Sequence, residues 1–251
     1  MTKGLSGKAK AALAVMLAGL AALIIWQGWS KPIPRVDAAH YNAFWLWSGV
    51  KPQPVLETAK TIYILDSEVN DGPPVRLIDQ RAGIPRLPGQ EVWMVVRVQT
   101  LNWPIGLDEH LIGRLAAWKA NGNDKLQGLQ IDFDAGTKGL AGYAAFLKKL
   151  RAKMPPDMKL SVTGLLDWSA NGDPQGLNAL GGVVDEVVLQ TYQGRSTIPG
   201  YEAYLAKLDR LHMPFKIGLV QNGVWREPPA LKRHPQFKGY VVFLLNPSES
   251  D

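Results

Sequence analysis

The 251-residue chain sets 28 Lys and Arg against 22 Asp and Glu, a formal charge of +6, and contains no cysteine. Lys3, Lys8 and Lys10 supply half of that charge, so the excess over the remaining residues is too thin for a nucleic-acid surface. Without cysteine there is no disulfide, no thiolate metal site and no cysteine nucleophile.

The four histidines, His40, His110, His212 and His234, lie far apart and share no helical spacing, so they predict no metal centre. Neither a Gly-rich phosphate loop nor a Gly-x-Ser-x-Gly elbow occurs. No cofactor is expected.

Residues 1–10 carry three lysines and no acid, and residues 11–26 are an uninterrupted apolar run. A basic start followed by such a run is an export signal. A full span needs ~20 residues, and Trp26 and Trp29 extend the run toward a far interface. The pattern predicts an uncleaved anchor helix over 1–30, with the lysines inside and the rest of the chain outside. The protein is then a single-pass inner-membrane protein with a periplasmic domain, or a periplasmic protein if the signal is removed. Residues 31–40, with Pro32 and Pro34, read as a linker, and 41–251 as one domain.

From residue 41 short apolar, β-branched or aromatic runs recur at 41–47, 61–69, 91–99, 126–134, 159–168, 186–192, 215–222 and 240–246. Each reads as a strand. Helical spacing fills 107–120, with Leu111, Ile112, Leu115 and Trp118 on one face. It fills 140–153 with Tyr143, Phe146, Leu147 and Leu150, and 201–211 with Leu205 and Leu208. Eight strands alternating with helices predict a parallel (β/α)8 TIM-like barrel. Residues 70–90 show no clean helix, and 169–182 at most one turn, which makes the barrel somewhat irregular. The alternative is a doubly wound open sheet, whose dinucleotide version would need a Gly fingerprint that is missing here.

The fourth run, Gln127-Gly-Leu-Gln-Ile-Asp-Phe-Asp134, is the most informative. Alternate side chains of a strand share a face, so Gln130, Asp132 and Asp134 point one way and Leu129, Ile131 and Phe133 the other. In a barrel the C-terminal strand ends line the active face. Trp45 and Trp47 end the first run, Asp66 and Glu68 the second, Arg97 and Gln99 the third. Asp167 and Trp168 end the fifth, Gln190 and Tyr192 the sixth, Gln221 and Asn222 the seventh, and Asn246 the eighth. Aromatics stack on sugar rings, while carboxylates and amides hydrogen-bond hydroxyls. The mix predicts a polysaccharide or glycan as partner rather than a phosphate, which would call for arginines or helix N-termini.

The fourth run resembles that of the family 18 glycoside hydrolases, whose fourth strand ends Asp-x-x-Asp-x-Asp-x-Glu. The resemblance implies that Asp132 orients a substrate acetamido group and that Asp134 stands where the family has its general acid. Gln190-Thr-Tyr-Gln193 is similar to the family's sixth-strand Met-Thr-Tyr-Asp, which implies that Tyr192 touches the reacting acetamido group. Gln127, Gln130 and Gln193 replace acids of that pattern, and Asp134 is one methylene shorter than its glutamate.

Over about residues 40–247 the chain is similar to the bacterial domain-of-unknown-function family 3142 (DUF3142). That likeness is carried by Phe44-Trp-Leu-Trp47, Gln130-Ile-Asp-Phe-Asp134, Leu160-Ser-Val-Thr163 with Asp167-Trp168, and Val188-Leu-Gln-Thr-Tyr192. It implies a glycosidase-like barrel of exported bacterial proteins and brings no activity with it.

The reading that unites these features is a membrane-anchored barrel that hydrolyses or binds a polysaccharide, N-acetylated in the substrate-assisted version. Asp134, buried beside Asp132, is then expected to hold its proton as general acid. Tyr192 and Gln190 hold the C2 substituent, and without an N-acetyl group Asp66, Glu68 or Asp167 supplies the second carboxylate. The alternative is a non-catalytic sugar-binding or envelope scaffold barrel, favoured by the glutamines.

Overall fold

A strand that is apolar on both faces belongs in a sheet covered on both sides, the situation of a parallel sheet. The computed structural model, which describes residues 34–247, has parallel strands β1 (Ala43–Leu46), β2 (Thr61–Val69), β3 (Glu91–Val98) and β4 (Leu126–Asp132). They continue as β5 (Lys159–Leu165), β6 (Glu186–Gln190), β7 (Phe215–Val220) and β8 (Phe237–Phe243). Each pairs with its neighbours in chain order, and β8 closes on β1 through Phe44 opposite Val242 and Trp45 opposite Phe243. The result is the expected eight-stranded parallel barrel.

Helices cover only part of it. Helices α1 (Leu107–Ala120) and α2 (Leu140–Lys153) follow β3 and β4 with the bounds the apolar spacing predicts. The third expected helix stops at Leu205 as α5 (Tyr201–Leu205) and resumes as a single 3-10 turn at Leu208–Arg210. Its apolar spacing still holds as burial, since Tyr201, Leu205, Leu208 and Leu211 are all inside.

Between β5 and β6, where at most one turn was expected, there are two helices, α3 (Trp168–Asn171) and α4 (Pro174–Gly181). The start of α4 has a physical cause that composition hid. Asp173 caps it by accepting the Gly176 amide at 2.7 Å, and Pro174 occupies its first turn. The β2–β3 connection has no helix, as expected, and instead adds the short antiparallel strand Leu77–Asp79 to the end of β2.

The anchor expected over 1–30 lies outside the described residues, as do residues 31–33 of the linker. Among the described residues no helix is long and apolar enough to cross a membrane. From Arg35 onward the segment read as linker packs on the β7–β8 connection. Val36 is buried, its amide donates to Gly223 O at 2.8 Å, and its carbonyl accepts from Asn222 at 2.9 Å.

Strand alternation divides the core in two. Outward residues such as Leu129, Ile131, Leu160 and Val162 pack against Leu111, Leu115 and Trp118 of α1 and Tyr143 and Leu147 of α2. Inward, Trp45, Tyr63, Trp93, Val95, Val188 and Val241 fill the barrel. A hydrogen-bonded chain runs through this filling. Trp45 Nε1 donates to Gln130 Oε1 at 2.6 Å, and Gln130 Nε2 to Ser161 Oγ at 2.9 Å. Ser161 Oγ donates to Glu186 Oε1 at 3.2 Å, and Tyr63 OH to the same oxygen at 2.7 Å. Lys216 Nζ pairs with Glu186 Oε2 at 2.8 Å, at the N-terminal end of the barrel.

Gly218 on β7 makes room for the Trp45 indole. A Cβ there would lie 2.6 and 2.8 Å from two of its ring carbons. Gly218→Ala should therefore lower stability by about 1–3 kcal/mol through overpacking, read as a shift of the urea midpoint. An unchanged midpoint would mean that Trp45 is free to move.

Candidate active cleft

The C-terminal ends of the strands open into a cleft of about 700 Å³. Its lining takes Trp47 from the end of β1, Arg97 from β3, and Asp132 and Asp134 from β4 and the residues just after it. Asp167 follows β5, Gln190 and Tyr192 come from the end of β6, and Phe243 ends β8. By strand order, the acids of β4 and β5 stand across the mouth from the aromatics of β8 and β1. Tyr192 is stacked on Phe243 with ring centroids 5.5 Å apart, and Trp47 meets Phe243 edge-on at 5.2 Å. The hairpin formed by Tyr192–Gln193 and Ser196–Thr197 adds Gln193, Gly194 and Ile198 to the wall.

The two strand-four acids have different surroundings. Asp132 is 9% exposed, and its Oδ1 accepts from Thr163 Oγ1 at 2.7 Å. Burial pushes its carboxyl up to about 6, and the charges of Asp134 and Glu68 add to the rise. The Thr163 hydrogen bond and Arg97 pull the other way. Asp134, expected to be the buried one, is exposed at the rim. The correction follows from where β4 ends. The strand stops at Asp132, and the chain then turns through a hydrogen bond from the Ala135 amide to Phe133 O, so Asp134 leaves the barrel wall. Burial, then the nearby charge of Asp132, also holds the Tyr192 phenol well above its ordinary range.

Six sequence-predicted site residues are engaged elsewhere. Trp45 and Gln130 are bonded to each other inside the barrel. Asp66 is fully buried and turned outward, continuing the alternation of Ile62 and Ile64, which face the helices. There it accepts from Trp118 Nε1 at 2.8 Å and pairs with the Arg114 guanidinium of α1. Trp168 is fully buried, with its indole donating to Ala135 O at 2.8 Å. Gln221 joins Gln53 and the Leu245 amide, which ties loops together. Glu68 accepts from the Gln99 amide beside the cleft without lining it.

Sequence reading missed Phe243 and Tyr204 as lining residues. Phe243 was legible, since it sits at the period-two position of the last run. The run was carried on to Asn246, which instead binds the Lys51 amide and Gly49 O.

Among the described residues no cluster of His, Asp or Glu is arranged to hold a metal ion. Fold and mouth together define the chain as a parallel (β/α)8 barrel with an acid-and-aromatic cleft at the C-terminal strand ends. Residues 89–201 match the family described as Domain of unknown function (DUF3142), the family its motifs resemble.

Solved structures share the barrel at low identity. The xylanase and α-amylase inhibitor protein XAIP-II of Scadoxus multiflorus is 13% identical, with a TM-score of 0.50 over 80% of this chain and 91% of that one. The chitinase domain of the spore coat protein CotE of Clostridium difficile is 15% identical, with a TM-score of 0.47 over 78% of this chain and 69% of that one. At such identities the likeness is one of fold. No curated protein matches the chain.

Two outcomes check these assignments. Asp66→Ala leaves the Trp118 indole without its acceptor and the half-buried Arg114 with only the more exposed Asp79, so it should cost about 3 kcal/mol of folding stability and leave ligand binding by the folded protein unchanged. Lost binding at unchanged stability would return Asp66 to the cleft. Asp132 has a folded-state value above the ordinary value of about 3.9, so its protonation favours folding. That contribution is present below about pH 4 and is lost as pH rises through about 6. Asp132→Asn should therefore gain stability relative to the parent between those values, by up to about 3 kcal/mol. Parallel stability–pH curves for the two proteins would contradict the burial of this carboxyl.

Proposed function

We propose that the chain is an envelope protein, anchored in the inner membrane by residues 1–30, whose periplasmic barrel binds a polysaccharide across its mouth and hydrolyses it. The observation that carries this reading is the pairing of Asp132 and Asp134 with the aromatic wall of Trp47, Tyr192 and Phe243 in one cleft. Rings of this kind stack on sugar faces, and the acids face the hydroxyls and the bond between sugars. The anchor rests on the apolar run and the lysines before it.

In the hydrolytic step Asp134, which at the exposed rim takes its proton from solvent, gives that proton to the oxygen of the leaving sugar as the bond to the ring carbon breaks. A water adds to that carbon and returns a proton to the carboxylate. Asp132, beneath it, stabilises the positive charge that develops on the sugar ring, which it does only when ionised. Gln190 and Tyr192 hold the substituent at C2. If that substituent does not itself attack, Asp167 is the remaining cleft carboxylate for the second role, because Asp66 is held by Arg114 and Trp118.

A second reading has one observation in its favour. Gln193 lines the cleft where an acid would serve catalysis, and an amide binds hydroxyls without ionising. The barrel would then hold a glycan without cutting it.

One experiment separates the two. The full chain is offered a panel of bacterial glycans, with Asp134→Asn and Trp47→Ala as variants. Hydrolysis by the parent should fall by at least about 100-fold in Asp134→Asn, with binding retained, and binding should weaken in Trp47→Ala. Glycan binding without cleavage in any of the proteins would establish the sugar-binding reading, and no binding at all would remove both.

A further inference from the structure

We infer that the cleft selects a sugar bearing a free, protonated amine over its acetylated or hydroxyl counterpart. This deepens the polysaccharide reading and rests on it.

Three carboxylates line the cleft, those of Asp132, Asp134 and Asp167, against the single guanidinium of Arg97. Arg97 is already met by charge on both sides. In strand register it stands between Glu68 of β2 and Asp132 of β4. The cleft as a whole therefore keeps an excess of negative charge.

The hydrogen bonding points the same way. Asp132 is 9% exposed, yet only its Oδ1 has a partner, the Thr163 hydroxyl. No donor among the described residues reaches its other oxygen, and the side chain lines the cleft. Asp167, just after β5, adds a second carboxylate to the lining, and its buried Oδ1 has no hydrogen-bond partner among the described residues. An ionised carboxylate can only accept, so the free oxygen of Asp132 calls for a donor from whatever fills the cleft, and Asp167 adds its charge to the wall.

An ammonium group supplies three donors and a positive charge, and bonds of this kind are shorter and stronger than neutral ones. An acetamido group supplies one donor and brings a carbonyl acceptor, and the one cation of the lining, Arg97, already stands between two carboxylates. A hydroxyl donates once and carries no charge. A carboxylated sugar would be repelled by the acids. The aromatic wall also suits a cation, because the faces of Trp47 and Tyr192 are electron-rich.

The test is calorimetric titration of the full-length protein with three oligosaccharides of equal length, built from glucosamine, N-acetylglucosamine and glucose. The glucosamine oligomer should bind at least about tenfold more tightly than the other two, and the difference should shrink as salt is added. Asp167→Asn should weaken the glucosamine oligomer more than the glucose oligomer and so remove most of that preference. Asp134→Asn, at the exposed rim, repeats the test where folding is not at stake. Equal binding of all three oligomers would overturn the amine preference and leave the polysaccharide reading standing. Tighter binding of the acetylated oligomer would do the same. Failure of all three to bind would overturn both.

Discussion

The hydrogen bond from the Trp45 indole to the Gln130 amide, at 2.6 Å and out of reach of solvent, is the constraint on which the barrel's interior depends. An indole this deep needs an acceptor, and a primary amide this deep needs partners for both its ends. Each meets the other's need, and Ser161, Glu186, Tyr63 and Lys216 extend the chain to the N-terminal end of the barrel. Gly218 exists on β7 so that the indole can lie where the bond requires it. The result is a rigid layer at mid-height, and the next inward residue along β4 after Gln130 is Asp132. The position of the buried acid is therefore set by the layer beneath it.

The same residue type has opposite fates on β2 and β4. Asp66 lies within apolar β2 and Asp132 closes apolar β4, and both are buried. Asp66 shares the outward face of β2 with Ile62 and Ile64 and meets α1, where Arg114 and Trp118 satisfy it completely. Asp132 shares the inward face of β4 with Gln130 and stays aimed into the mouth with Thr163 as its hydrogen-bond partner. A fully partnered acid contributes to the fold. A half-partnered one at the mouth is available to a ligand.

The fold was legible wherever local pattern sufficed. Short apolar, β-branched or aromatic runs located all eight barrel strands, and apolar spacing located α1 and α2 to the residue. What the sequence did not disclose depends on three dimensions. Nothing in Leu65-Asp66-Ser67 signals the register shift that sets Glu68 opposite Arg97 while Asp66 faces α1, because a bulge is a relation between two strands. Trp45 and Trp47 look alike in sequence and share one face, yet the first fills the barrel and the second reaches the rim. Depth along the barrel axis separates them, and depth is set by strand stagger. The cap on α4 was readable in Asp173-Pro174 but was obscured by the surrounding glycines and asparagines. The segment 89–201 that matches the family contains both strand-four acids and Tyr192, but neither Trp47 nor Phe243. The acid half of the cleft thus lies within the matched segment and the aromatic half mostly outside it.

The Glu186–Lys216 pair and the Tyr63 hydroxyl close the barrel at its base, so the molecule is a cup and not a pore. Water reaches Asp132 only through the mouth. Whatever lies across that mouth consequently governs the hydration of the acid below it, and a long occupant with tight aromatic contacts seals it more fully than a short one. Chain length of the ligand and acidity of the buried group are in this way tied together by the closed floor.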